Sequence, residues 1–196
     1  MRTRHAASVL LLSLMVAAGA QDARAEEIDC PPNLINKTVD NVFVNGACTI
    51  RNSTVEGNIV VSTGGNLLVQ GSTIRGSVQS EGALRVRLQS DPNTGRDSQV
   101  IGDVQIKNTA AGLTSTIIDA QIGGTILLDS NGGPTNVFGN TVSGDVQVFQ
   151  NTAVVRLRDN SIDGNLQCKS NTPRPVNGGG NIVQGNAEDQ CAGFSQ

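Results

Sequence analysis

Four cysteines and a few arginines are the side chains with reactive potential in this chain. Arg85 and Arg87 stand two apart in Leu84-Arg85-Val86-Arg87-Leu88, and Arg156 and Arg158 repeat the arrangement in Val155-Arg156-Leu157-Arg158. Guanidinium groups held on one face can grip a carboxylate in a bidentate fork, so these four are the candidate catalytic residues if the chain acts on an acidic polysaccharide. The counter-reading is ordinary: an outward arginine is a common occupant of a half-buried strand, and two whole coils of the repeat separate the two pairs. Histidine chemistry is ruled out more firmly. The single histidine, His5, lies in the N-terminal segment that reads as a cleaved leader. The remaining chain therefore has no imidazole for a proton shuttle, a Ser-His or Cys-His nucleophile pair, or a His-containing zinc site. Trp and Tyr are absent, and only Phe43, Phe138, Phe149 and Phe194 could stack on a sugar or a base. No cofactor and no metal site is expected.

The leader is recognisable by its parts. Arg2 and Arg4 form a positive start, and residues 6–18 are apolar apart from Ser8 and Ser13, a run too short to span a bilayer. Small-residue cleavage sites follow at Ala18-Gly19-Ala20 and Ala23-Arg24-Ala25. The second is preferred, which makes residues 1–25 a signal peptide and residues 26–196 the mature domain. Cys30 follows Glu27-Ile28-Asp29, without the small residue that lipoprotein processing needs, so no lipid anchor is expected. Three arginines and one aspartate leave with the leader, so 14 basic and 17 acidic residues become 11 and 16, a net charge of −5. That balance speaks against a nucleic-acid partner and against docking on anionic lipid. The expected location is periplasmic or secreted, with no membrane span in the mature protein.

The mature chain repeats itself. Apolar residue, any residue, Gly, polar residue, apolar residue recurs as Val55-Glu56-Gly57-Asn58-Ile59, Ile74-Arg75-Gly76-Ser77-Val78 and Val100-Ile101-Gly102-Asp103-Val104, then as Ile122-Gly123-Gly124-Thr125-Ile126, Val142-Ser143-Gly144-Asp145-Val146 and Ile162-Asp163-Gly164-Asn165-Leu166. A weaker copy, Val183-Gln184-Gly185-Asn186-Ala187, ends the series, and Val39-Asp40-Asn41-Val42-Phe43 opens it with Asn in the Gly place. The glycines are 19, 26, 22, 20, 20 and 21 residues apart. Apolar residues flank each glycine at two-residue intervals, the period of a strand with one buried face. Two or three short strands per turn, joined by Gly, Asn and Ser corners, would close a coil of about 20 residues that stacks at a rung spacing of roughly 4.8 Å. The fold class is all-β: a single-domain parallel β-helix of about eight coils. The irregular step lengths and the strong preference of parallel crossovers make the right-handed form the expected one.

Stacking would align the residue after each glycine, Asn58, Ser77, Asp103, Thr125, Asp145, Asn165 and Asn186, into a polar corner ladder. Asp103 and Asp145 are then two coils apart, which disfavours a metal site between them. The 26-residue step carries Ser90-Asp91-Pro92-Asn93-Thr94-Gly95-Arg96-Asp97, read as a projecting loop, and Asn131-Gly132-Gly133-Pro134 reads as a smaller one. Asn171-Thr172-Pro173-Arg174-Pro175 with Gly178-Gly179-Gly180 reads as a loop crossing before the last turn. The four cysteines of an exported chain imply two disulfides, and spacing pairs Cys30 with Cys48 and Cys168 with Cys191. Both bridges would tie down the terminal coils, where open strand edges invite polymerisation.

Across residues 38–191 these repeats resemble the right-handed parallel β-helix superfamily, which includes pectate lyases, polygalacturonases, adhesins and phage tailspikes. The units Gly76-Ser77-Val78 and Gly144-Asp145-Val146 are also similar to bactofilins, β-helices that assemble end to end, although a leader and disulfides depart from that cytosolic family. The tail Gly164-Asn165-Leu166-Gln167-Cys168 with Gly185-Asn186 and Cys191 is similar to small secreted bacterial proteins, from which no activity carries over. The resemblance implies architecture alone. The expected function is a non-enzymatic structural, adhesive or surface-binding role. The alternatives are a polysaccharide lyase or hydrolase and a glycan-binding module. The expected partners are a polysaccharide, another envelope component, or a second copy of the chain.

Overall fold

The computed structural model describes residues 27–195. They form a parallel β-solenoid with three short strands per turn and no helix. Face A is a nine-stranded sheet running from Ile28–Cys30 through Val78–Glu81 and Val146–Phe149 to Ala187–Asp189. Face B has eight strands, among them Ala47–Arg51, Arg85–Gln89, Ser115–Ile118, Thr135–Phe138 and Val155–Arg158, and ends at Val176–Asn177. Face C has eight shorter strands, from Thr38–Val39 to Ile182–Val183. Every pairing is parallel. Eight turns at about 4.8 Å give a rod of roughly 40 Å.

The core is a set of stacked aliphatic columns, as the two-residue period requires. On face A, Val44, Val61, Ser80, Ile106, Leu128, Val148 and Cys168 lie in one inward column, and on face C, Val55, Ile74, Val100, Ile122, Val142 and Ile162 do the same. These Val and Ile residues are almost entirely buried, and their β-branched side chains fit a pleated surface. Leu84 breaks the expected alternation. It is 41% exposed, because its strand begins at Arg85 and the inward place goes to Ala83. Cys30–Cys48 and Cys168–Cys191 form the two expected bridges, with Cα–Cα separations of 5.5 and 5.3 Å. Both lie at the ends of the rod.

Three corner ladders hold the coils in register. At the corner from face C to face A, each backbone N–H donates to the side chain one coil earlier: Ser77 to Asn58, Asp103 to Ser77, Thr125 to Asp103, Asp145 to Thr125, Asn165 to Asp145 and Asn186 to Asn165. The bonds run from 2.7 to 3.3 Å. Asn41 belongs to this polar column, since it accepts from the Asn58 N–H at 2.8 Å, and it does not take the glycine position expected for it. The glycines are needed for a steric reason: a Cβ at Gly57, Gly76, Gly102, Gly124, Gly144, Gly164 or Gly185 would lie closer than 3.0 Å to the ladder oxygen of the previous coil.

The other two corners are filled by buried asparagines. Between faces A and B, the Thr109 N–H donates to Asn131, Asn131 to Asn151 and Asn151 to Asn171, with each Asn amide also reaching a core carbonyl. Between faces B and C, Asn140, Asn160 and Asn181 repeat the pattern. Positive φ is used here, at Ser130, Gln150 and Ser170 just before the buried asparagines. Residues 131–134 are thus a corner of ordinary length and not the small projecting loop expected. Likewise, residues 171–180 are no crossing loop: they hold Asn171 in its ladder and contribute the short face-B strand Val176–Asn177. The insertion at residues 90–97 does project. It is anchored by the buried Asp91, which accepts from the Asn93 N–H at Oδ1 and from the Gly95 N–H at its carbonyl.

Three substitutions test this account. Gly164→Ala should destabilise by about 3 kcal/mol or more, the upper range of overpacking costs, because backbone as well as the Asp145 side chain blocks the new methyl. Gly95→Ala, at a position with open space and φ +68, should cost only the left-handed strain of about 1–2 kcal/mol. Thr135→Val should stabilise by about 1 kcal/mol, since the buried Thr135 hydroxyl has no partner and an unmet group costs about that much. Urea-unfolding midpoints check all three.

Candidate functional site

Face B carries the four candidate arginines, and its register sets what they can do together. Arg87 pairs with Thr116, Thr116 with Asn136 and Asn136 with Arg156. Arg87 and Arg156 therefore share one outward row but lie three rungs apart, about 14 Å. Arg158 belongs to the neighbouring row, beside Phe138 and Ile118, and Arg85 pairs with Asn66. The four do not converge. Each pair is a separate site.

The two pairs also differ in chemistry. The Arg158 guanidinium is 3.2 Å from the Asp159 carboxylate and stacks 4.7 Å above the Phe138 ring, so its charge is answered locally. Arg156 next to it is exposed. Arg85 and Arg87 are half-buried and form no ion pair among the described residues. Arg85 Nε donates to Asn66 Oδ1 at 3.3 Å. Arg87 Nε is buried without a partner. Burial, and then the neighbouring Arg85 charge, push the Arg87 pKa down, because both penalise the cation. No strand of face B contains Asp or Glu, and Arg51 adds a fifth cation there.

Beside Arg87 lies a hollow of about 230 Å³ walled by Asn33, Thr49, Asn66 and Leu68. A larger, shallower groove of about 420 Å³ crosses face A over Phe43, Val60, Gln79, Glu81, Gln105 and Lys107. It contains one carboxylate and one ammonium on adjacent strands, Glu81 opposite Lys107, and so has no net charge. Size favours the face-A groove. Uncompensated charge favours the hollow by Arg87.

The remaining polar groups are mostly structural. Asp103 and Asp145, the only carboxylates in the expected ladder, each accept a backbone N–H at 2.8 and 2.7 Å. Among the described residues no cluster of three or more His, Cys, Asp or Glu side chains is placed to hold a metal, and no helix is long and apolar enough to cross a membrane. The two disulfides suit an oxidising, extracytosolic environment. The asparagine ladders were missed as functional units of the fold, although Asn131, Asn151 and Asn171 recur every 20 residues. That spacing was the available signal.

Comparisons with protein-family models, with curated proteins and with solved structures found no match. What the structure shows is a parallel β-solenoid, and no match supports the pectate-lyase-like superfamily or the bactofilins specifically.

Double-mutant cycles on stability test the separation of the arginines. Arg87→Ala with Arg156→Ala should be additive within about 0.5 kcal/mol, as expected for sites farther apart than about 10 Å. Arg158→Ala with Phe138→Ala should show a coupling of about 0.5–1 kcal/mol, the worth of an exposed cation–π contact.

Proposed function

We infer that the protein is an exported, non-enzymatic β-solenoid that works as a rigid binding surface in the periplasm or outside the cell, with an envelope polysaccharide as its partner. The observation that carries this reading is the division of labour among polar side chains. Those at the corners bond neighbouring coils, while those on the faces form outward rows one rung apart with few bonds inside the protein. Face C presents Thr38, Thr54, Thr73, Gln99, Gln121, Thr141 and Ser161 in one row, and face A presents Gln79 and Gln105, then Leu127, then Gln147 and Gln167. Only one contact within the amide row, Gln147 to Gln167 at 3.4 Å, is made. Regular rows of donors and acceptors suit a polymer that repeats along the rod.

The form of the C-terminal end supports a discrete rod. Gln190 takes the place of the next asparagine, accepting from the Asn171 N–H at 2.9 Å and donating to its carbonyl. Phe194 and Cys191 cover the end of the core, and the Ser195 hydroxyl meets both the N–H and the carbonyl of Val183. A covered edge does not template a further strand.

Expression with the leader intact should yield an exported chain whose intact mass begins at Glu26 and which sediments as a monomer across a concentration series. It should leave acidic polysaccharides unchanged while being retained on them or on cell-envelope glycan. Release of unsaturated sugar products, lost in Arg85→Ala or Arg156→Ala, would replace this reading with the lyase. Concentration-dependent polymers would replace it with end-to-end assembly.

A further inference from the structure

Face B is a local electrostatic exception. The mature chain carries a net −5, yet this sheet holds Arg51, Arg85, Arg87, Arg156 and Arg158 and no acid in any strand. At its N-terminal half the imbalance is unrelieved. Arg85 and Arg87 point outward from one strand, about 6.6 Å apart along the chain, without a carboxylate on either. Two like charges held this close raise each other's energy, and the half-burial of Arg87 adds a desolvation cost. A protein under no functional demand lowers such a cost by an acidic neighbour, as it does for Arg158 with Asp159.

We propose that Arg85 and Arg87, together with the hollow walled by Asn33, Thr49, Asn66 and Leu68, bind an oxyanion carried on a polysaccharide, the carboxylate of a polyuronate chain. The assignment deepens the surface-binding reading above and rests on it. The lining is rich in donors: the Arg87 guanidinium, the Thr49 hydroxyl, and the Asn66 amide, whose oxygen is held by the adjacent Arg85 guanidinium. A carboxylate is acceptor-only and planar, and matches a guanidinium fork better than a hydroxyl does. The neutral face-A groove, with one acid and one base, lacks that bias. Leu68, in the row between Thr49 and Arg87, offers an apolar bed for the CH face of a sugar ring. Burial and the Arg85 charge, which together disfavour the free cation at Arg87, are both offset once an anion is bound.

The test measures binding of the mature protein to polygalacturonate, to dextran sulfate and to neutral dextran, together with the melting temperature of each variant. Polygalacturonate should bind, more weakly as salt is raised, and neutral dextran should not. Arg87→Met should weaken polygalacturonate binding about tenfold or more, the scale of one lost charge-assisted bond, while raising the melting temperature of the free protein. Lys107→Met, the same charge change on face A, should leave binding within about twofold, because a single charge on a different face is screened. Tighter binding of dextran sulfate than of polygalacturonate would overturn the carboxylate assignment. Equal losses in Arg87→Met and Lys107→Met, or a lowered melting temperature in Arg87→Met with binding retained, would overturn the site and leave the surface-binding reading standing. Failure of the protein to bind any of these polymers or envelope glycan would overturn both.

Discussion

A parallel coil must find partners for the backbone N–H and carbonyl groups at every corner, where the strand ladder stops. In this protein the neighbouring coil supplies them. The Asp103 carboxylate holds the Thr125 N–H, Asp145 holds Asn165, and the buried asparagines do the same on the other two corners. Buried polar groups left unmet cost about 1–3 kcal/mol each, so a one-residue slip of any coil would forfeit several such bonds and turn a column of Val and Ile to solvent. The repeat in the sequence follows from that requirement. Glycine precedes each ladder residue from Asn58 onward because the ladder oxygen of the previous coil occupies the space a Cβ would need.

Much of this was legible from residue types. The two-residue period placed Val104, Ile126 and Val146 inside, and the Gly-polar pair located one corner of every full turn. The cysteine spacing identified both bridges. What could not be read was register. The repeat count made Arg85, Arg87, Arg156 and Arg158 outward and put two whole coils between the pairs, but steps of 26 and 22 residues hide which residues of face B sit side by side, such as Phe138 beside Arg158. Asn41 was misplaced for a related reason: the first turn is shorter, and counting from the next glycine shifts it by one column. The asparagines at 131 and 171 were hidden by their neighbours, since Asn-Gly-Gly-Pro and Asn-Thr-Pro look like loop sequences even when their first residue is fully buried.

The ladders also bear on function. Corner polar groups that bond the next coil are spent on structure, which removes Asp103, Asp145 and the buried asparagines from any list of ligand-binding groups. What remains free is on the faces, where a rung spacing of about 4.8 Å presents one side chain per turn. On face C these are hydroxyls and amides, and on face A an amide row runs beside a row of mixed charge that includes Glu81, Lys107, Asp129 and Lys169. On face B the charged groups are arginines, with Arg158 answered by Asp159 and Phe138 and the Arg85–Arg87 pair left without an anion. At the C-terminal end, Gln190, Cys191, Phe194 and Ser195 close part of the last coil, meeting backbone groups of Asn171 and Val183.

Residue-resolved hydrogen exchange of the mature protein tests the central claim, that side chains of adjacent coils lock the corner backbone. The Thr125 and Asn165 amides sit at a half-exposed corner yet are held by Asp103 and Asp145. They should exchange as slowly as the amides of the adjoining strands, and Asp145→Ala should release Asn165 while leaving Thr125 protected. Exchange of both amides at loop rates in the unmodified protein would contradict the account.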